Sequence, residues 1–268
     1  MDLLQLLKAF VLGVVEGATE FLPVSSTGHL IVVGDWLGFT GETAKVFDVV
    51  IQLGAILAVV WLYREKIGRV VRTLPSSPTS RRLALNLAVA FFPAAVVGLL
   101  TYEWIKAYLF NPFTVAVALV VGGVVILLIE RWGPPTPIAD VDVIPMRTAL
   151  GIGLAQVLAL VPGTSRAGAT IMGAYALGCS RRAATEFSFF LAIPVMVAAT
   201  LFDLWQGRDL LSTADVPVFA VGFGVSFVAA ALVIRLFLRF VSDHTFVPFA
   251  WYRIGFGGLL LLYYGWIA

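Results

Sequence analysis

Cysteine is almost missing from this chain. Cys179 stands alone among 268 residues, so no intramolecular disulfide can form and the redox compartment leaves no mark. Charge is scarce as well: 13% of residues carry it and the net is only +2, which gives a nucleic-acid partner little support. There are two histidines, which confines imidazole chemistry to His29 and His244. No hydrophilic stretch is long enough for a separate soluble domain. No small-residue cleavage site precedes Glu16, so the N-terminal segment is expected to be retained structure and not a signal peptide. No Gly-Lys-Ser/Thr phosphate loop occurs, which argues against nucleotide binding. What remains is apolar: 60% hydrophobic residues and a mean hydropathy of +0.97 mark a polytopic helical membrane protein.

Six segments have the length and apolarity of full spans, at 46–63, 83–102, 113–130, 183–202, 216–238 and 248–267. Two further apolar regions are broken by polar islands. Residues 9–22 and 25–38 flank Pro23, and residues 148–161 and 165–178 flank Pro162-Gly163. Each half is too short to cross roughly 30 Å of hydrocarbon, so each pair is expected to enter and leave on one side. Pro23-x-Ser25-Ser26 aligns with Pro162-x-Thr164-Ser165 at an offset of 139, and three spans follow each island. An odd number of spans turns the second unit over. The expected fold class is therefore an all-α polytopic membrane protein, with six transmembrane helices and two re-entrant helix-loop-helix hairpins arranged as an inverted repeat. Residues 1–131 and 147–268 form its halves within a single membrane domain. Such folds place their site near the midplane, with half-helix N-termini facing an anion.

Basic residues orient the chain, because cytoplasmic loops are the richer in Lys and Arg. With the N-terminus outside, the inner side receives Arg64, Lys66, Arg69, Arg72, Arg81, Arg82, Arg131, Arg147, Arg181, Arg182, Arg235 and Arg239, against Lys8, Lys45, Lys106 and Arg208 outside. This opens the first island to the outer face. The 64–82 cluster reads as a solvated loop near anionic headgroups. Trp61, Trp104, Trp132, Trp205, Trp251 and Trp266 fit interfacial anchors.

Ionisable residues at membrane depth are costly and mark functional sites. Glu16 and Glu20, spaced i, i+4, put two carboxylates on one helical face, where they suit a shared divalent cation or a general base. Packing partners alone are the bland alternative. Ser25, Ser26 and Thr27 open the next half-helix, where hydroxyls cap and freed amides hold anions. Ser26 is the better nucleophile candidate, with His29 one turn on as its proton partner. In the second island Arg166 needs an anion, either a phosphate held by its fork or Glu16 or Glu20. Gly163 and Gly168 allow close backbone approach, and Thr164, Ser165 and Thr170 add donors to a phosphate site. Asp48, Gln52, Glu186 and Ser188 are weaker candidates that polar helix contacts explain equally well.

These residues resemble the undecaprenyl-diphosphate phosphatase family of bacteria, also called the bacitracin-resistance protein family. Its first motif, Glu/Gln-x-x-x-Glu and then Pro-Val-Ser-Ser-Thr-Gly-His, is matched by Glu16, Glu20, Pro23 to Gly28 and His29. Its second, Pro-Gly-x-Ser-Arg-Ser-x-x-Thr, is matched by Pro162, Gly163, Ser165, Arg166 and Thr170, with Ala167 in place of the second serine. The resemblance implies a bacterial inner-membrane phosphatase with a site on the periplasmic side. It would cleave the terminal phosphate of undecaprenyl diphosphate, recycling the carrier lipid for peptidoglycan synthesis, and confer bacitracin resistance. It also implies a divalent cation, Mg²⁺ or Ca²⁺. A secondary transporter or flippase for a phosphorylated lipid or small anion is the alternative on the same kind of fold. The sequence leaves the oligomeric state, a homodimer included, open.

Overall fold

Apolar runs become helices almost everywhere, and the exceptions are the two polar islands. The computed structural model describes residues 3–133, 135–206 and 215–267. Arg208 and the side chains of Lys45 and Trp266 lie outside the described residues. Eleven α-helices occur among them: α1 (Leu3–Thr19), α2 (Ser26–Leu37), α3 (Glu42–Leu62), α4 (Arg64–Thr73), α5 (Pro78–Tyr108), α6 (Pro112–Trp132), α7 (Met146–Val157), α8 (Arg166–Ala176), α9 (Arg181–Gln206), α10 (Val216–Asp243) and α11 (Val247–Ile267). Local chemistry sets several starts. Ser77 and Asn111 each sit before a proline at the first helical position and accept a hydrogen bond from the amide three residues on, Ser80 and Thr114.

Five helices, α3, α5, α6, α9 and α10, are long and apolar enough to cross a membrane. The sixth expected span, 248–267, is α11: it matches α3 and α6 in length, but Arg253 and its Trp and Tyr residues lower its apolarity. The 64–82 segment, expected as a solvated loop, instead forms α4 and the start of α5. Ile67 and Val70 of α4 pack on the core, Lys66 pairs with Asp142 at 3.0 Å, and the arginines face outward.

Both islands interrupt helices. α1 ends at Thr19 and α2 begins at Ser26; α7 runs into a short 3₁₀ turn at Leu158–Leu160, and α8 begins at Arg166. Ser25 and Ser165 precede α2 and α8 with φ of 71° and 72°, the sole non-glycine residues with positive φ among those described. The two strained serines stand 140 residues apart, one more than the offset of 139 read from the prolines; at that spacing Ser25 aligns with Ser165 and Glu16 with Gln156.

Helix packing lays α1 along α10 and α7 along α5, sets α3 against α9 and α10, and pairs α6 with α11. Small residues permit this closeness. A Cβ on Gly13 would stand 2.6 Å from the carbonyl oxygen of Gly222, and one on Gly153 2.6 Å from that of Ala90. Among helices in lipid, such backbone proximity replaces the hydrophobic driving force.

Candidate active site

Polar side chains converge where the two breaks meet. Glu16 sits in α1, completely buried, and neither carboxylate oxygen has a hydrogen-bond partner. Glu20 follows one turn later, just past the end of α1, its amide donating to the Glu16 carbonyl at 3.0 Å. Each of its oxygens accepts one hydrogen bond. Oε2 accepts a hydrogen bond of 2.5 Å from the Ser26 hydroxyl, and Oε1 accepts one of 3.0 Å from Arg166 Nη2. Serine, carboxylate and guanidinium thus form one chain that links both islands across 146 residues of sequence.

Arg166 is the first residue of α8, so its side chain springs from the break itself. Nη1 donates to the Ser188 carbonyl at 3.1 Å and Nη2 also approaches Met196 Sδ at 3.4 Å, while Nε has no partner. The Phe21 ring lies 5.7 Å from the guanidinium carbon. Ion pairing with Glu20, one of the two roles the sequence suggested for this arginine, is therefore present, and Nε remains to bind a further acceptor.

The two helix starts differ in a way that matters for anions. Ser165 Oγ accepts from the Gly168 amide at 3.0 Å, capping α8, and itself reaches the Leu22 carbonyl at 3.4 Å. Ser25 makes no such side-chain cap on α2. The first-turn amides of α2, following Ser25, Ser26 and Thr27, therefore lack the partner that α8 supplies to its own, and an uncapped helix start suits an anion.

Several expected contacts are not made. His29 makes no hydrogen bond to Ser26. Its Nδ1 meets the Ser25 carbonyl at 2.7 Å and its Nε2 the Tyr252 hydroxyl at 2.5 Å, while its ring stacks on Phe256 at 4.5 Å. The group beside the Ser26 hydroxyl is Glu20. Thr170 is completely buried and its hydroxyl bonds to the Arg166 carbonyl at 2.9 Å and to Ser188 Oγ at 2.6 Å, so it braces α8 against α9 and does not face the break. Thr164 contributes its carbonyl, and half-buried Thr27 lies at the start of α2. Gly163, at φ 92°, allows close approach to α6: a Cβ there would stand 2.5 Å from the Val115 carbonyl oxygen.

One residue at this junction escaped the sequence reading. Arg253 of α11 is 1% exposed and donates to the Pro23 carbonyl in one break and to the Gly163 and Thr164 carbonyls in the other. The signal was an arginine inside a predicted span.

Fold and site together define a multi-pass helical membrane protein with a buried carboxylate-hydroxyl-guanidinium centre between two broken helices. The chain belongs to the family described as Bacitracin resistance protein BacA, which it matches over residues 9–259. Among curated relatives, the "Undecaprenyl-diphosphatase" of Nitrosospira multiformis is 56% identical over 262 residues, 98% of this chain and 96% of the relative. That of Pseudomonas aeruginosa is 57% identical over 254 residues, covering 95% and 92%. A third, from Aromatoleum aromaticum, is 55% identical over 261 residues, 97% and 95% of the two chains.

Proposed function

We infer that this chain is an undecaprenyl-diphosphatase, a membrane hydrolase that releases inorganic phosphate from undecaprenyl diphosphate and returns the monophosphate carrier to peptidoglycan synthesis. Bacitracin resistance follows from the same reaction, because turnover removes the lipid diphosphate. The observation that carries the reading is the Ser26–Glu20–Arg166 chain: a hydroxyl, a proton acceptor for it and a fixed cation, assembled from both islands. The relatives' shared name supplies the substrate.

Ser26 attacks the terminal phosphorus while Glu20 Oε2, already on the hydroxyl, takes its proton. The bond from that phosphorus to the bridging oxygen breaks and undecaprenyl phosphate departs. Water then cleaves the phosphoserine and inorganic phosphate leaves. Arg166 and the uncapped amides of α2 stabilise charge on the phosphoryl oxygens, the largest kind of contribution open to phosphoryl transfer. Glu16 and Glu20 suit a divalent cation, because Glu16 is buried with both oxygens unpaired. No cluster of three or more metal-ligating side chains occurs among the described residues, so substrate phosphate and water would complete the shell, a common arrangement for Mg²⁺. Bound there, Mg²⁺ or Ca²⁺ would neutralise phosphate charge.

The layout we propose is six spans, with α11 as the sixth, and two re-entrant hairpins, α1–α2 and α7–α8. Residues 1–131 and 147–268 are its inverted halves. The shared strain at Ser25 and Ser165 and the exchanged pairs α1–α10 and α5–α7 support it. The membrane of this reading is the bacterial inner one, and the bias of basic residues supports a site on its periplasmic side. Transport of a phosphorylated lipid has no support among the relatives' names.

The test is phosphate release from a polyprenyl diphosphate by the purified chain in detergent, with and without chelator. Release is expected with Mg²⁺ or Ca²⁺ and is lost with EDTA; Glu20→Gln, Ser26→Ala and Arg166→Ala should each lower kcat by about a hundredfold or more. No release with either cation would end the reading. Full turnover by Arg166→Ala would remove the phosphate role of that residue.

A further inference from the structure

Arg253 has no part in the chemistry above, yet its surroundings are unusual for a charged group. A guanidinium has five N–H donors. Here every bond runs to a main-chain carbonyl: Nε to Leu119 at 3.2 Å, Nη1 to Pro23 at 3.1 Å and Thr164 at 2.9 Å, Nη2 to Ala118 at 3.1 Å and Gly163 at 3.1 Å. Two acceptors belong to α6, one to the first break and two to the second. No carboxylate pairs with Arg253 among the described residues. α6 makes room for it with Gly122-Gly123, since a Cβ on Gly122 would collide with the guanidinium.

Two physical consequences follow. Pro23 and Gly163 are equivalent in the 140-residue register, each two residues before a strained serine, so one rigid fork grips both tips at the same point and sets their separation. That separation is what brings Ser26 and Glu20 of one break to Arg166 of the other. The second consequence is electrostatic. A buried cation in a medium of low dielectric acts over several ångströms, and Arg253 Nη1 lies 3.1 Å from where a Cβ on Gly168 would stand, directly against the first turn of α8. Its charge is offset by carbonyl dipoles alone.

We propose that Arg253 is a positioning residue for diphosphate hydrolysis: it locks the two break tips in register and holds an unneutralised positive charge behind them that favours the dianionic headgroup without touching it. This rests on the diphosphatase reading. A purely structural clamp would not alter headgroup affinity in folded protein, which separates the two roles.

The experiment measures kcat on a polyprenyl diphosphate and, independently of turnover, the affinity for inorganic pyrophosphate by calorimetry. In folded Arg253→Gln, which lacks charge and fork, pyrophosphate Kd is expected to rise at least tenfold and kcat to fall at least a hundredfold. Arg253→Lys keeps the charge and loses the fork: Kd should stay within threefold of wild type while kcat falls at least tenfold. A folded Arg253→Gln protein within threefold of wild type on both measures overturns the proposal. So does failure of the wild-type chain to bind pyrophosphate. If Arg253→Gln is not recovered folded, Gly122→Ala serves, because its methyl group displaces the fork and leaves the charge. A tenfold loss of kcat at unchanged Kd is expected, and unchanged kcat overturns the proposal. Wild-type protein that binds pyrophosphate but releases no phosphate ends the diphosphatase reading and leaves the Arg253 claim to the binding shift alone.

Discussion

Ser26 and His29 lie three residues apart on one helix, yet they answer to different neighbours. The serine hydroxyl points to Glu20, and the imidazole is held between the Ser25 carbonyl, the Tyr252 hydroxyl and the Phe256 ring. Unequal losses are therefore expected. Ser26→Ala should cost about a thousandfold in kcat, as loss of a nucleophile does, and Tyr252→Phe less than about tenfold, since two of the three holds on His29 remain. Phosphate-release rates on the two variants decide it, and equal losses would return His29 to the side of Ser26. Glu20, Ser26 and Arg166 were legible in the sequence because a charge or hydroxyl in an apolar run stands out by its cost. The partner of His29 was not, because Tyr252 lies 223 residues away and spacing along one helix says nothing about another. Arg253 was overlooked for a different reason: counting arginines by loop leaves out those inside spans.

At the level of helices, packing depends on a few glycines and on the half-buried Glu130–Arg181 ion pair. A Cβ on Gly17 would stand 2.7 Å from Ala229 Cβ and 2.8 Å from the Ala230 nitrogen, next to Glu16. Gly17→Val should force α1 from α10, cost about 1–3 kcal/mol by overpacking, and reduce turnover with it. Gly224→Val, where nothing lies within 4 Å, should do neither; melting in detergent with parallel assays checks both. At the opposite end of α6, Glu130 accepts two hydrogen bonds from Arg181, at 3.1 and 2.5 Å, and one from the Phe246 amide at 2.7 Å. Glu130→Gln should lower stability by about 1–2 kcal/mol, since it weakens charge-assisted hydrogen bonds to a partly solvated arginine, and leave kcat of the folded fraction within about threefold, because no bond joins it to the island side chains. A collapse of kcat in stable protein would contradict that. Hydropathy located most of these elements to within a few residues. It missed α4, whose arginines hide a narrow apolar face of Ile67 and Val70.

For the molecule as a whole, two short motifs suggest a duplicated plan. Their prolines stand 139 residues apart, whereas the strained serines, Ser25 and Ser165, stand 140 apart. Strain is a property of φ, and the letters alone do not carry it. The lone Cys179 is completely buried, so the chain is close to silent toward thiol reagents and single introduced cysteines can report sidedness. Thr40→Cys, beyond α2, is expected to react with a membrane-impermeant maleimide in whole cells. Ser76→Cys, between α4 and α5, should react only after permeabilisation. Both are exposed positions, and labelling of both from the same side would refute the layout of re-entrant hairpins.

Because Arg166 already rests on Glu20, an arriving headgroup does not meet a bare cation. On the proposed reading it must compete with an internal rival that reclaims the guanidinium whenever the ligand departs. Such a built-in competitor would weaken resting affinity and hasten product escape, trading tightness for throughput and sparing the monophosphate lipid that later steps require.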